Sequence, residues 1–304
     1  MRSEALSIAR PPTATLVAAL MAVAYAGPVA LSAQAPESPT AQPIALDVMT
    51  FNIRTAMGRD GDNVWPNRKE LVVETIERFN PHVLGLQEAL AEQIEFLETA
   101  MPEYRWIGVD RGLNGGTGLS EATPIFYRYQ ELVPIESGTF WLSDRQDPPR
   151  RRRRASRIVT WARFHHLQTG QQIYVYNTHF TLRRGARQLQ SAAQINARIA
   201  ELPPGSTVIV MGDFNAVAES SDTWREATSQ GLRDAWLIAQ ERYGPALTSN
   251  GFYPPPDDRE GRIDWILVGG PIIVRNISTV VHSAEGRYPS DHYPVVAALV
   301  VQPG

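Results

Sequence analysis

Short apolar runs alternate with polar turns along most of the chain. Runs rich in β-branched residues are typical of buried strands, and apolar positions at helical spacing are typical of amphipathic helices. The first pattern predicts strands over residues 44–53, 83–87, 104–109, 124–129, 132–135, 158–165, 173–178, 207–211, 263–268, 272–281 and 295–301. The second predicts helices over residues 68–79, 89–100, 185–202 and 222–229. Strands dominate the middle and helices flank them, which favours one α/β domain with helices outside packed sheets.

The N-terminal residues have the layout of a secretory signal peptide. Two arginines precede an apolar run over residues 15–31, and the small residues Ala33 and Ala35 follow as a cleavage pattern. An uncleaved membrane anchor is the alternative, but Gly27 and Pro28 interrupt the run and favour cleavage. We therefore predict a signal peptide over residues 1–35, a flexible leader over 36–43 and a single domain over 44–304.

Composition narrows the possible functions. The chain has no cysteine, which excludes disulfides, cysteine nucleophiles and thiolate metal sites. Removing Arg2, Arg10 and Glu4 with the signal peptide leaves 27 basic and 31 acidic residues, a net charge of −4. No global basic field therefore attracts nucleic acid. We expect a monomer without a membrane span, exported to a bacterial periplasm or to the medium.

Five consecutive arginines, Arg150 to Arg154, form the strongest local charge. They lie between two prolines and a predicted strand. Like charges repel one another, so a solvated, mobile loop is the favoured interpretation. The alternative is a patch that captures an anionic substrate, but a charge run alone is weak support for that role.

Polar residues that could carry chemistry stand where predicted strands begin or end. Asp213 and Asn215 follow a strand, and in an extended backbone both side chains would face the same way. The other members of this group are Asn52, Glu88, His179, Asp264, Asp291 and His292. Each alone has a structural explanation, such as an Asx turn, a helix cap or a core histidine. Together they form an oxygen-rich group that suits Mg²⁺ or Mn²⁺ better than structural zinc.

Six motifs in a fixed order resemble those of the endonuclease/exonuclease/phosphatase superfamily, the metal-dependent phosphoesterases with the deoxyribonuclease-like fold. They are Asn52, Gln87-Glu88, Asn177-Thr178-His179, Gly212-Asp213-Phe214-Asn215, Ile263-Asp264 and Ser290-Asp291-His292. The resemblance covers residues 44–301, and six ordered motifs are far harder to match by chance than one. It implies a four-layer α/β/β/α sandwich, in which helices flank two packed, mainly antiparallel sheets.

The resemblance also implies roles for these residues. Glu88 is the main metal ligand, with Asn52 beside it and Asp291 as a further acidic ligand, and the implied ion is Mg²⁺ or Mn²⁺. Asp213 positions and deprotonates the attacking water. Asn215 orients the substrate or a second metal ion. These roles agree with the physics of phosphate ester hydrolysis, because a divalent cation neutralises the phosphate.

The two histidines, His179 and His292, are implied to flank the scissile phosphate and to donate hydrogen bonds to its oxygens. Asp264 would orient His292, since a carboxylate fixes the tautomer of an imidazole. Glu121 precedes a predicted strand where family members often place a carboxylate that supports the first histidine. The glycine-rich segment over residues 114–123 is unusual for the family, so this role of Glu121 stays open.

Two arginines resemble those of small exported bacterial members of the superfamily. Trp65 and Arg68 form a Trp-x-x-Arg motif after the first strand, and Arg157 directly precedes the strand over residues 158–165. The resemblance therefore implies substrate binding by Arg68 and Arg157, with Arg157 as a ligand of a substrate phosphate. It does not identify the natural substrate.

Three functions compete on this basis. A nuclease or general phosphodiesterase ranks first, acting on nucleic acid, a nucleotide or another phosphodiester. A phosphomonoesterase acting on a small phosphorylated metabolite ranks second. A non-catalytic exported binding protein on the same fold ranks last, because such a copy usually loses a ligand and every expected acid and histidine is present here.

Overall fold

The computed structural model describes residues 42–112, 120–143, 157–183, 185–256 and 260–303. The predicted signal peptide and the run from Arg150 to Arg154 lie outside these residues. The strands are β1 (Ile44–Asn52), β2 (Val83–Gln87), β3 (Tyr104–Ile107), β4 (Ile125–Arg128), β5 (Leu132–Leu142), β6 (Arg157–His166), β7 (Gln172–His179), β8 (Thr207–Asp213), β9 (Arg233–Asp234), β10 (Glu241–Tyr243), β11 (Asp264–Gly269), β12 (Ile272–Thr279) and β13 (Val295–Val301). The helices are α1 (Lys69–Phe79), α2 (Ala91–Ala100), α3 (Ala186–Ala200), α4 (Asp222–Ala227) and α5 (Ala235–Ile238).

The strands form two sheets. One has seven strands in the order β10-β12-β13-β1-β2-β4-β3, and the other has six in the order β5-β6-β7-β8-β11-β9. The pairs β1–β2, β10–β12 and β7–β8 are parallel, and the remaining pairs are antiparallel. This architecture confirms the predicted sandwich of two mainly antiparallel sheets.

Three apolar clusters mark the layers. The largest lies between the sheets and contains Leu46 and Val48 of β1 together with Ile209 and Met211 of β8. A second cluster packs α1 and α2 on the seven-stranded sheet, and a third packs α3 and α4 on the other. Alternate side chains of each central strand are therefore buried on opposite faces of the sheet. One face of each sheet packs against the other sheet, and its second face packs against helices.

Two features of the fold differ from the sequence predictions. β5 runs from Leu132 to Leu142 rather than ending at residue 135, and a bulge lies between Pro134 and Glu136. Proline is tolerated there because β5 is an edge strand. The short elements β9, α5 and β10 were not predicted. In the described part of the chain, no helix is long and apolar enough to span a membrane.

Candidate active site

The topology brings the predicted site residues to one end of the sandwich. β1 and β2 are parallel, so Asn52 and Glu88 leave the seven-stranded sheet at the same edge. His179 and Asp213 likewise end the parallel strands β7 and β8 and are register partners. Asp264 starts β11, which is antiparallel to β8 and pairs it directly with Asp213. Antiparallel pairing of β13 with β1 places the preceding Asp291-His292 turn at this edge as well.

A buried acid–histidine pair stands at the centre of the site. His292 Nδ1 donates a hydrogen bond of 2.9 Å to Asp264 Oδ2, and its Nε2 lies 4.0 Å from Asp213 Oδ2. Asp264 Oδ1 is buried and has no hydrogen-bond partner within the described ranges. The negative charge of the Asp264 carboxylate lies next to the His292 ring, and it favours the protonated form of His292.

Burial and neighbouring charges move the pKa values of this group apart. Burial alone would lower the pKa of His292, but the charge and hydrogen bond of Asp264 outweigh it and raise that pKa well above the ordinary value. Burial, and then repulsion from Asp264, raise the pKa of Asp213 to about 7. The site therefore pairs a proton donor with a carboxylate that accepts protons near neutral pH.

The remaining polar groups of the six-stranded sheet surround Asp213. Its Oδ1 accepts from the backbone N–H of Asn215, whose Nδ2 donates to the carbonyl of Phe180. His179 Nε2 lies 3.5 Å from Asp213 Oδ2. Burial lowers the pKa of His179 well below its ordinary value, and the charges of Arg157 and Arg111 lower it further. His179 is therefore neutral at pH 7, in contrast to His292.

Asn52, Glu88 and Asp291 form the side of the site that belongs to the seven-stranded sheet. Asn52 Nδ2 donates to Asp213 Oδ2 at 3.0 Å and lies 3.3 Å from Glu88 Oε1, so one amide joins the two sheets. Glu88 Oε2 accepts the backbone N–H of Thr55. Burial raises the pKa of Asp291, which accepts from the Ser290 hydroxyl.

A cleft of about 470 Å³ is lined by most of these residues, but not by the buried Asn52 and Asp264. Its polar wall contains Glu88, Asp213, Asp291 and His292, and its other wall includes apolar side chains such as Leu182 and Ile263. The side chains of Glu88 and Asp291 are only 15% and 20% exposed, yet both reach the cleft. Carboxylate oxygens that keep unused lone pairs suit a hard divalent cation, so the residues fit Mg²⁺ or Mn²⁺.

A second group of possible ligands is Asp213, Asp264 and His292, whose donor atoms lie within 4.8 Å of one another. A cation that used either ring nitrogen of His292 would have to displace a proton from the charged imidazole. The protonated histidine already supplies positive charge at that point. The geometry of this group therefore fits proton handling better than metal binding.

Arg54 is a site residue that the sequence analysis missed. Its Nη1 lies 3.8 Å from Glu88 Oε2 and 3.7 Å from Asp291 Oδ2, between the two carboxylates predicted to hold the metal. Asp60 holds the rest of the guanidinium through Nε and Nη2, at 3.0 and 2.9 Å. Its position two residues after Asn52 was the only available sequence signal.

Arg68, which was predicted to bind substrate, is buried and is not among the residues that line the cleft. The residue is 1% exposed, and its guanidinium donates to the carbonyls of Asn63, Ile53, Arg54 and Pro289. Burial lowers its pKa to about 10. These contacts tie the end of β1 to the turn that carries Asp291, so Arg68 positions the candidate metal ligands Asn52 and Asp291 relative to each other.

Arg157 and Glu121 lie together beside the site. Glu121 Oε2 lies 2.7 Å from Arg111 Nη2 and 3.9 Å from Arg157 Nη1. Arg157 Nη1 is buried and finds no hydrogen-bond partner in the described residues. Burial lowers the pKa of Arg157 to about 10, and the charges of Asp213 and Glu88 act against this shift. Arg157 therefore places a positive charge close to His179, and its Nη1 has no hydrogen-bond partner among the described residues.

Buried amides hold the two sheets in register behind the site. Gln87 Nε2 donates to Asn177 Oδ1 at 2.7 Å, and Asn177 Nδ2 donates to the carbonyls of Leu86 and Pro124. Gly85 permits this approach, because a Cβ there would lie 2.8 Å from Asn177 Cγ. The motif residues Gln87 and Asn177 therefore hold the two sheets at a fixed distance.

Thr248 is a second residue that sequence reasoning missed. It is fully buried, and its Oγ1 accepts the backbone N–H groups of Ile263 and Asp264. Its carbonyl accepts the N–H of Tyr293. One threonine thus aligns the start of β11 with the residue after His292. A lone threonine in an irregular segment carries no signal of this role in the sequence.

Comparisons with known proteins agree with this geometry. The model of the Endonuclease/Exonuclease/phosphatase family matches residues 49–292. A solved endonuclease/exonuclease/phosphatase family protein from Bacteroides thetaiotaomicron is 30% identical, covers 86% of this chain and 96% of its own, and superposes with a TM-score of 0.78. A mannosyl-6-phosphatase from the same species is 29% identical, covers 84% of this chain and 99% of its own, and has a TM-score of 0.75.

Among curated proteins, Nocturnin from Xenopus laevis is 27% identical over 233 residues. The match covers 67% of this chain and 57% of Nocturnin, so the chain spans a little over half the length of that relative. The family match begins within β1 and ends at His292, and it therefore includes every strand end that contributes to the cleft. The chain belongs to the endonuclease/exonuclease/phosphatase family.

Proposed function

We propose that this protein is an exported, divalent-metal-dependent hydrolase that cleaves phosphate esters by attack of water. The observation that carries the proposal is the arrangement of Asp213 within 4.0 Å of a histidine that Asp264 keeps protonated. Such a pair provides a base for the water and an acid for the phosphate in one cleft. Glu88, Asn52 and Asp291 would hold Mg²⁺ or Mn²⁺, which neutralises phosphate charge when bound.

The chain's own residues divide the work of hydrolysis. Asp213 accepts the proton of the attacking water, and its raised pKa makes it a stronger base than an ordinary aspartate. His292, held by Asp264, donates a hydrogen bond to a phosphate oxygen. His179 is held neutral by burial and by the arginine charges, so it donates from an uncharged ring. Asn215 shares the Asp213 turn and orients the substrate.

Two kinds of ester remain as substrates. The sequence analysis ranked a phosphodiester first. Two observations move our preference to the monoester of a small molecule. The solved relative named as a mannosyl-6-phosphatase is similar over nearly all of its length. Arg157 also places a buried positive charge close enough to His179 to add to the effect of burial in lowering the pKa of that histidine, and this charge favours the extra negative charge of a terminal phosphate.

The test compares a chromogenic phosphomonoester, the matching diester and mannose 6-phosphate, each with Mn²⁺ or Mg²⁺. We expect turnover that a chelator abolishes and added Mn²⁺ restores, fastest on a monoester. Asp213→Asn should lose several orders of magnitude in rate, whereas Asp222→Asn, an exposed aspartate outside the cleft, should keep full rate. A fully active Asp213→Asn protein would refute the assignment. Faster diester turnover would restore the first ranking.

Export is the remaining part of the proposal. It rests on the arginines, the apolar run and the small-x-small pattern within residues 1–35. We expect the mature N-terminus at residue 36 when the gene is expressed in a bacterium. N-terminal sequencing of protein from the periplasm and the medium tests this, and an uncleaved cytoplasmic product would contradict it.

A further inference from the structure

Arg54 is fixed in the cleft by hydrogen bonds to its backbone and to its side chain. Its backbone has a φ of +56°, which non-glycine residues adopt only where the surroundings enforce it. Its carbonyl accepts from Arg68 Nη2 at 2.8 Å and from Gln93 Nε2 at 3.0 Å. Two buried side chains thus hold the backbone, and Asp60 holds the guanidinium by a bidentate pair. The position of Arg54 is built into the fold.

The remaining nitrogen, Nη1, faces the carboxylates of Glu88 and Asp291, the candidate metal ligands. It lies 3.8 Å from Glu88 Oε2 and 3.7 Å from Asp291 Oδ2, both longer than a hydrogen bond. No acceptor elsewhere in the described ranges lies within hydrogen-bonding distance of Nη1. The side chain is 30% exposed and lines the cleft with Asp213 and His292. A donor is therefore open to a ligand at the point where the proposed reaction takes place.

We propose that Arg54 binds the phosphate of the substrate through Nη1 and that its charge weakens the binding of a divalent ion by Glu88 and Asp291. The inference rests on the proposed phosphoester hydrolysis and specifies how the same site recognises phosphate. Arginine is suited to this task because its guanidinium stays charged and can bind Asp60 and a phosphate oxygen at once. Its hydrogen bonds to Asp60 raise its pKa further.

The competing explanation is that Arg54 only orders the loop that Asp60 belongs to. The two explanations differ in sign for metal binding. Two carboxylates within 4 Å of a fixed positive charge attract a divalent ion less strongly than the same carboxylates without it. Removing the charge should therefore tighten Mn²⁺ binding if Arg54 acts electrostatically. If Arg54 only orders the loop, removing it should weaken the binding of both Mn²⁺ and phosphate.

The experiment measures Mn²⁺ binding and inorganic phosphate binding by calorimetry, without any turnover. The variants are Arg54→Gln and Arg54→Lys, and the control is Arg59→Gln, an exposed arginine of the same loop. In Arg54→Gln, Mn²⁺ should bind roughly tenfold more tightly and phosphate roughly tenfold more weakly, a difference of about one order of magnitude each. Arg59→Gln should match the wild type.

Thermal unfolding of each variant shows whether it is folded. If Arg54→Gln does not fold, Arg54→Lys keeps the test open, since a lysine ammonium should bind phosphate more weakly than the wild type but leave Mn²⁺ affinity nearly unchanged. Mn²⁺ affinity that does not rise in a folded Arg54→Gln, or phosphate affinity unchanged in the same variant, would overturn the proposal. An active enzyme with the latter result refutes only the role of Arg54. Absence of ester turnover with the expected shifts refutes only the proposed hydrolysis.

Discussion

The raised pKa of Asp213 has a consequence for stability: replacing this proposed base should stabilise the metal-free fold. Asp213 is 1% exposed, and burial together with repulsion from Asp264 raises its pKa from 3.8 to about 7. A group whose pKa is higher in the folded state opposes folding once it is ionised in both states. We therefore expect Asp213→Asn to be more stable than the wild type at pH 8, although it is inactive.

The magnitude follows from the shift and from one lost hydrogen bond. At 1.36 kcal/mol per pKa unit, the ionised aspartate costs about 4 kcal/mol above pH 7. In the variant, the new amide nitrogen would face Asn52 Nδ2, which now donates to Asp213 Oδ2 at 3.0 Å, and this mismatch costs about 2 kcal/mol. The net gain at pH 8 is therefore about 2 kcal/mol. At pH 4 folded Asp213 is protonated, so the gain disappears and the mismatch remains.

Urea unfolding of both proteins in the presence of a chelator, at pH 4, 6 and 8, measures this difference. The variant should be less stable than the wild type at pH 4 and more stable at pH 8, with the change of sign between them. Asp222→Asn, an exposed control, should shift stability by less than about 0.5 kcal/mol between pH 6 and 8. A difference for Asp213→Asn that does not vary with pH would refute the reasoning, because desolvation of the charge would then not be its cause.

Three further predictions concern the surroundings of the site. Gly212→Ala places a Cβ about 2.1 Å from the Thr178 carbonyl, so we expect a loss of roughly 3 kcal/mol or more in urea unfolding, and wild-type stability would contradict the packing. Arg68→Lys leaves buried carbonyls without donors and should lower both stability, by roughly 2 to 4 kcal/mol, and kcat; an unchanged melting temperature would argue against its positioning role. Asp264→Asn should lower kcat by roughly 10²- to 10⁴-fold, and NMR titration should give a lower pKa for His292. An unchanged pKa would contradict the claim that Asp264 raises the pKa of His292.

The strand pattern predicted most of the fold because central strands bury both faces. β2 and β13 have the predicted bounds, and both consist almost entirely of buried apolar residues. Edge strands carry a weaker signal. In β5, Pro134 and Gly138 interrupt the apolar pattern although pairing with β6 continues past them. β10 is exposed at all three positions, so no apolar periodicity marks it, and its pairing with β12 decides its conformation.

The sequence placed candidate residues together where polar side chains and strand ends coincide, and Asp213, Asp264 and His292 do lie close to one another. Residues whose role depends on distant contacts were not recognised. Arg54 is informative only once Asp60, Glu88 and Asp291 are known to surround it. Arg68 was assigned to the substrate because sequence cannot tell a buried guanidinium that binds carbonyls from one that faces a cleft.

In the proposed reaction the two sheets contribute different groups, so we expect the distance between the sheets to affect activity. The candidate metal ligands Glu88 and Asp291 belong with the seven-stranded sheet, and Asp213 belongs to the other. Hydrogen bonds span the gap behind and within the site. Asn52 donates to Asp213 at 3.0 Å, Gln87 donates to Asn177 at 2.7 Å, and Asn177 donates to the carbonyls of Leu86 and Pro124 at 2.8 Å. A misplacement of about 1 Å can cost about 10²-fold in rate. We therefore expect the buried amides and the missing Cβ at Gly85 to contribute to catalysis, because they would keep the proposed base and metal ligands within reach of one substrate.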